Sequence, residues 1–355
     1  MWLAAIGSSL PSVAMRYVVL RMSYPGRTVT DMISPTLMQD RVQSVEIDND
    51  AVHRMANEIR AIARQRGRSL SEESWSDPLF WNVTDSRRDR CQYLALGNAI
   101  NFRFWSLRDQ TVVPAVGAVA GEQLRGAMYM WRRLRLAVER EEISLAADDL
   151  AGIDEVTFRT AFRDDAGYLP LSEGISDRVE NVKNLGLTLA QAWDGSWANV
   201  VDAAGGSLNR FAVLSASFRA FDDPVQKLTM LNAIMLQGSG LTTFDRAPLP
   251  AIDYHLVKQA TRQGLVNVRG QIGAKLRDGQ LLSRDESDVL RMAVREALVD
   301  TAANAEVSTA VLDNIYWLNR RVCADTTPDC DACPLRAGCA RKVEFGLPLE
   351  VTRYY

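Results

Sequence analysis

The chain of 355 residues has two histidines, His53 and His255, and little lysine: of its 41 basic residues all but five are arginine. It has no apolar run of the roughly 18 residues that a membrane span needs. It also has no excess of one charge: 41 basic residues stand against 44 acidic ones, net −3, which disfavours a non-specific grip on a phosphate backbone. The N-terminal "MWLAAIGSSLPSVAMRYVVLRM" lacks a basic leader, and Gly7, Ser8, Ser9 and Pro11 break its apolar run, so no export signal is expected. Period-two alternation is scarce, with "QSVEIDND" and "TVVPAVGAV" the best short candidates, and no internal repeat or long linker shows. These absences predict a cytoplasmic protein in a reducing setting, with little or no sheet and no membrane partner.

Helical signals fill the space left. A hydrophobic share of 47% can build a large core without covalent staples. "DNDAVHRMANEIRAIARQRG" opens on Asp48 or Asn49 as a cap, repeats apolar residues at helical spacing and stops at Gly67. "SRDESDVLRMAVREALVDTA" begins with a Ser283-x-x-Glu286 capping box and carries Leu290, Ala293, Val294, Ala297 and Leu298 down one face. "WRRLRLAVERE" puts Arg132, Arg133, Arg135 and Arg140 on one helix, either a local basic face or an ordinary solvated one. The expected fold class is mainly α.

Four of the five cysteines fall in "CADTTPDCDACPLRAGC", residues 323 to 339, and the fifth is Cys91. Two disulfides sit badly with a reducing setting. With so few histidines, a metal site here would use the thiolates of Cys323, Cys330, Cys333 and Cys339, which suits a structural zinc ion or an iron–sulfur cluster. Zinc sites of this type usually pair two short Cys-x2-Cys hooks, whereas here one hook lies between gaps of six and five residues. That spacing resembles the [4Fe-4S] loop of the endonuclease III and adenine glycosylase family. The resemblance implies a two-lobed helix-hairpin-helix glycosylase fold, with a chiefly structural cluster in a C-terminal loop.

Glycosylases of that class place an aspartate just before a helix. "PAIDYHLVKQ", residues 250 to 259, looks like that pattern, with Asp253 as the carboxylate ahead of Tyr254 and His255. A fixed carboxylate stabilises the positive charge that develops on a sugar during N-glycosidic cleavage and can orient the attacking water. The competing reading is a helix cap, a frequent use of aspartate. "LQGSGLT" resembles the glycine-rich hairpin, but Thr242 stands at its lysine position and the following helix would have no room; the alternative turn precedes Lys227, in "DDPVQKLTMLNAIML".

A longer resemblance, from about residue 34 to 318, is to the queuosine salvage proteins, N-glycosylases that release queuine from queuosine 5′-phosphate. It rests on motifs in shared order: "ISPTLMQDRVQSVEIDNDAVHRMANEI", "GNAINFRFW", "YLPLSEGISDRVENVKNLGLTL", "SFRAFDD", "IDYHLVKQATRQGLV" and "LDNIYW". The cysteine loop departs from that family. The resemblance implies a substrate that is a modified, 7-deazaguanine-type nucleotide or nucleoside; DNA carrying a modified base is the alternative substrate, and a non-catalytic base-binding protein a third reading. A flat base needs aromatic plates and a few polar groups. Phe102, Phe104 and Trp105 would supply the plates, or else fill a core. Asn101 and Asp313 would read the base edge, Lys227 at a helix start would hold a 5′-phosphate, and Tyr254, His255 and Trp317 would complete the pocket. The implied organisation is an N-terminal extension over 1–33, the helical domain over 34–320, the cluster loop over 321–342 and a tail over 343–355.

Overall fold

The computed structural model describes residues 44–66, 75, 77–81, 86–109 and 111–355; the extension, the segment preceding Ser44 and the Gly67 helix stop lie outside them. In chain order the described residues form β1 (Val45–Ile47), α1 (Asn49–Arg66), α2 (Arg87–Ala99), strands β2 (Trp105–Arg108), β3 (Thr111–Pro114), β4 (Val116–Val119) and β5 (Glu122–Arg125), then α3 (Ala127–Glu139), α4 (Ala147–Gly152), α5 (Glu155–Ala161), α6 (Ile175–Ala192), α7 (Trp197–Ala204) and α8 (Leu208–Ser215). A short 3-10 turn at Arg219–Phe221 leads to α9 (Lys227–Gly238), α10 (Tyr254–Gln263), β6 (Val266–Val268), α11 (Gly270–Asp278), α12 (Arg284–Ala305) and α13 (Thr309–Asn319). The chain is mainly helical, as expected. The weak alternation becomes three two-stranded antiparallel ladders, β1 with β6, β2 with β3 and β4 with β5.

Local chemistry sets the helix ends. Asp48 accepts the Ala51 amide at 2.9 Å and starts α1. Ser283 and Glu286 exchange both bonds of a capping box at α12. Gly264 ends α10 with φ +80°, and a Cβ there would stand 2.9 Å from the Ala340 Cβ, so the residue that stops the helix also seats the chain leaving the cysteine loop.

Two hydrophobic cores result. The first gathers residues of α2 to α9 around Trp131 and Trp197; the second gathers α1, α10, α12 and α13 around Leu290, Val294 and Tyr316. Each fully buried aliphatic or aromatic side chain contributes roughly 1.5 to 3 kcal/mol. The chain passes from one core to the other at two places that matter below. Val225 belongs to the second core and Leu228 to the first; Ala251 belongs to the first and Ile252 to the second. Lys227 and Asp253 therefore both stand at the boundary. No described helix is long and apolar enough to cross a membrane.

Candidate active site

The segment before α10 is held from both sides. Asp313, on α13, accepts the Ala251 amide at 2.9 Å. Arg291, on α12, donates to the Ile252 carbonyl at 3.2 and 3.3 Å. The same guanidinium forms a buried two-pronged pair with Asp223, at 3.0 and 2.6 Å. Asp223 in turn accepts the amides of Val225 and Lys227, at 3.1 and 2.9 Å, which anchors the start of α9. One buried ion pair thus fixes the starts of α9 and α10 relative to each other, with every polar atom paired, the condition under which such a pair is tolerated.

Asp253 is half-buried at the N-cap of α10, where its Oδ1 accepts the amides of His255 and Leu256 at 2.8 and 2.9 Å. Both cap bonds fall on one oxygen, leaving Oδ2 outside the cap. The helix-cap reading of this residue is thus correct as geometry, and it leaves the second oxygen for chemistry.

Two titratable groups flank this carboxylate electrostatically. Lys227 is buried and donates from Nζ to the Asn101 carbonyl at 2.6 Å. Burial pushes its pKa down to about 8, against the opposing pull of Asp253. Burial pushes Asp313 up to about 7, the Ala251 amide opposing this and the charge of Asp253 adding to it. Near neutral pH the site therefore combines a carboxyl able to keep its proton with an ammonium able to lose one.

The "NFRFW" stretch follows α2 and turns through Arg103, whose φ is +43°. Phe102 is 1% exposed, Phe104 7% and Trp105 4%. The buried Arg178 lies with its guanidinium carbon 4.4 Å from the Phe102 ring and 5.6 Å from that of Phe104, and it donates to the carbonyls of Ile100 and Phe102. Trp105 clusters with Tyr254, Tyr354 and Tyr355. In this arrangement the three rings pack against protein. Arg178 lies within the quoted "YLPLSEGISDRVENVKNLGLTL" stretch, but the sequence reading gave it no role, and its contact with the two rings is what that reading missed.

Tyr254 and His255 lean together, ring centroids 4.4 Å apart. Burial holds His255 well below its usual pKa, at about 4, and its Nδ1 is buried without a hydrogen-bond partner. Across from it, Asp325 accepts from the fully buried Lys258 at 2.6 Å and lies 3.9 Å from His255 Nδ1. On α13, Asp313 and Trp317 are four residues apart and share a face, and the Arg320 guanidinium carbon stands 3.3 Å over the Trp317 ring centroid. Arg320 and Asp325 escaped the sequence reading because only the fold brings them to this helix, and Lys258, inside the quoted "PAIDYHLVKQ" stretch, escaped it because its partner Asp325 is 67 residues away.

All four loop cysteines are free and half-buried, whereas Cys91 is fully buried in α2 and its thiol is pushed up to about 11 by burial. Arg262 Nη1 approaches the Cys323 sulfur at 3.7 Å, the Arg341 amide donates to Cys339 Sγ at 3.3 Å, and Cys333 contacts Asn319 Oδ1 at 3.5 Å. Cys333 and Cys339 pack against the second core. Among the described residues no three His, Cys, Asp or Glu side chains close up around one metal-ion position. The donor set itself, four thiols with N–H groups directed at two of the sulfurs, is of the kind that iron–sulfur clusters accept.

The arginines of α3 are engaged within the chain. Arg133 is buried on the Ala161 carbonyl and pairs with Glu142 at 3.1 Å, Arg132 donates to Leu79 and Arg135 to Pro78 and Glu139. Two surface cavities, of about 380 and 470 Å³, open elsewhere, one beside Arg284, Glu350 and Arg353 and the other beside Arg88, Asp148 and Asp194. Neither is lined by a candidate residue.

The family model described as queuosine salvage protein matches residues 81–230. That span contains Asn101 to Trp105 and Lys227, and it stops short of Asp253, Asp313, Trp317 and the cysteines. No curated protein matches the chain.

Proposed function

We propose that the protein is an N-glycosidase that hydrolyses the bond between sugar and base in a queuosine-type nucleotide or nucleoside, acting in queuosine salvage. The observation that carries this reading is Asp253: a carboxylate locked at a helix N-terminus through one oxygen, at the boundary of two cores, beside a buried lysine and a buried carboxyl. The similarity over residues 81–230 supports the substrate class.

In the proposed reaction the C1′–N bond breaks with its electron pair passing to the base, and positive charge builds on C1′ and O4′. Asp253 Oδ2 faces that charge and takes the proton of the water that adds to C1′. Asp313, protonated near neutral pH, and Asn101 hydrogen-bond the departing base. Lys227, at the start of α9, holds the 5′-phosphate, since an ammonium and a helix N-terminus both favour an anion. Trp317, with Arg320 above it, and Tyr254 and His255 bound the pocket, and Phe102, Phe104 and Trp105 back it. The fold proposed is the two-lobed helix-hairpin-helix type, the two cores being its lobes.

For the loop we propose a [4Fe-4S] cluster on Cys323, Cys330, Cys333 and Cys339, in preference to zinc. Its contribution is folding energy for a segment with little core of its own. The cysteine spacing favours a second reading, excision of a modified base from DNA by flipping; the engagement of the α3 arginines within the chain counts against it.

Incubation with queuosine 5′-monophosphate, queuosine, other modified nucleotides and duplex DNA carrying 7-deazaguanine bases, followed by mass spectrometry of released base, tests these readings. Release from the free nucleotide or nucleoside is expected. Release from DNA alone would establish the second reading, and release from none would leave a binding protein.

A further inference from the structure

The cysteine loop meets the helix of the candidate site through Arg262 and Asp325 among other contacts. Arg262, on α10, is buried, and its guanidinium donates to the carbonyls of Ala324 at 2.6 Å and Asp325 at 2.8 Å as well as approaching Cys323. The backbone two residues past the first cysteine is thereby clamped to α10. The Asp325 side chain then makes three contacts: Lys258 on α10 at 2.6 Å, Arg125 at the end of β5 at 2.8 Å, and His255 Nδ1 at 3.9 Å. Lys258 and His255 share a helix with the Asp253 cap, and the His255 amide is itself one of the two donors on Asp253 Oδ1. Arg125 comes from the hairpin whose Leu124 packs in the first core. Asp325 therefore joins the loop, the helix that presents Asp253 and a hairpin of the other core.

We infer that Asp325 is a positioning residue through which the cysteine loop sets the geometry of the Asp253 helix against the opposite core, so that the order of the site depends on the order of the loop. The inference rests on the proposed glycosidase site for its kinetic consequence, and on geometry alone for its structural one. Lys258 is 0% exposed and Asp325 is its carboxylate partner; a buried ammonium deprived of that partner must reorganise its surroundings. His255 Nδ1 is buried without a hydrogen-bond partner, and the charge facing it is the Asp325 carboxylate 3.9 Å away, so a change at Asp325 is felt directly at the ring.

The two histidines make the test direct: His53 is exposed on α1 next to Arg54, which packs on Gly338 of the loop, so it reports on the loop itself, while His255 reports on the site. In protein labelled on histidine, the His255 ring cross-peak should move in Asp325→Asn, with His53 unmoved and with metal content and melting temperature retained. Cys330→Ser, which disrupts the loop instead, should move the same His255 peak. Turnover of Asp325→Asn should fall about 10-fold with KM nearly unchanged, as misplacement of a reacting group predicts, and Asp325→Glu should restore part of it. An unmoved His255 signal in Asp325→Asn overturns the inference, and so does loss of metal from that variant, which would make Asp325 a staple of the loop. Where Cys330→Ser does not fold, the Asp325→Asn arm decides alone. Absence of base release by the unaltered protein refutes the glycosidase reading, while the histidine signals still decide the coupling.

Discussion

Replacement of Asp253 by asparagine separates the two functions that the structure gives this residue. The cap uses Oδ1 alone, on the amides of His255 and Leu256, and asparagine caps about as well as aspartate, so folding should change by a few tenths of a kcal/mol at most. The charge is lost entirely. A carboxylate about 4 Å from the developing oxocarbenium ion, at an effective dielectric of about 20, stabilises it by roughly 4 kcal/mol, and removal of one such electrostatic group typically lowers turnover by about 100-fold to 1,000-fold. The expected variant is folded, binds substrate, and releases base at least about 100 times more slowly, measured by chromatography and mass spectrometry. Asp253→Ala provides the control: equal loss of turnover, plus the loss of a cap, about 1 kcal/mol or a few degrees in melting temperature. Turnover retained within about threefold in Asp253→Asn would show that the residue is a cap and nothing more, and Asp313, Asp222 and Asp223 would become the carboxylates to examine.

Lys227→Met should raise KM for a 5′-phosphorylated substrate by roughly 10-fold to 100-fold, the worth of a charged hydrogen bond, while barely affecting the nucleoside; equal effects on both would remove the phosphate role. Asp313 has a folded pKa raised to about 7, so the native state keeps a proton that the unfolded chain loses, and its contribution to stability falls as pH rises from about 4 to 7. Asp313→Asn keeps a side-chain oxygen able to accept the Ala251 amide, so the melting temperature of the variant should gain on the parent between pH 5 and pH 8; a constant difference would refute the raised pKa. Breaking the buried Asp223–Arg291 pair by Arg291→Met should cost about 3 to 5 kcal/mol in denaturant unfolding, far more than a surface substitution. Protein purified anaerobically should be brown, absorb near ~400 nm and carry about four irons per chain; stoichiometric zinc without iron would replace the cluster proposal.

Much of the helical framework was legible because its signals are local. The Ser283 to Glu286 box and the Asp253 cap are decided within one helical turn, and both stand where the sequence places them. Lys227 opens α9, as the sequence suggested, and "LQGSGLT" spans the end of that helix and the loop that follows it. The short strands of "TVVPAVGAV" were equally visible, though their division into two separate ladders around Ala115 was not.

Composition and spacing by themselves determined a mainly helical chain, its strongest caps, a four-thiol loop and a carboxylate at a helix start, all properties of residues close in sequence. Only the tertiary structure decided what surrounds that carboxylate. Asp223 and Arg291 are 68 residues apart, Lys227 and the Asn101 carbonyl 126, Lys258 and Asp325 67. No periodicity or motif encodes such pairings, because each is selected by the packing of two cores that bring distant polar groups into a medium where they must find one another. The same packing set "NFRFW" beneath Arg178, since the burial that an aromatic residue reaches depends on what the rest of the chain lays over it.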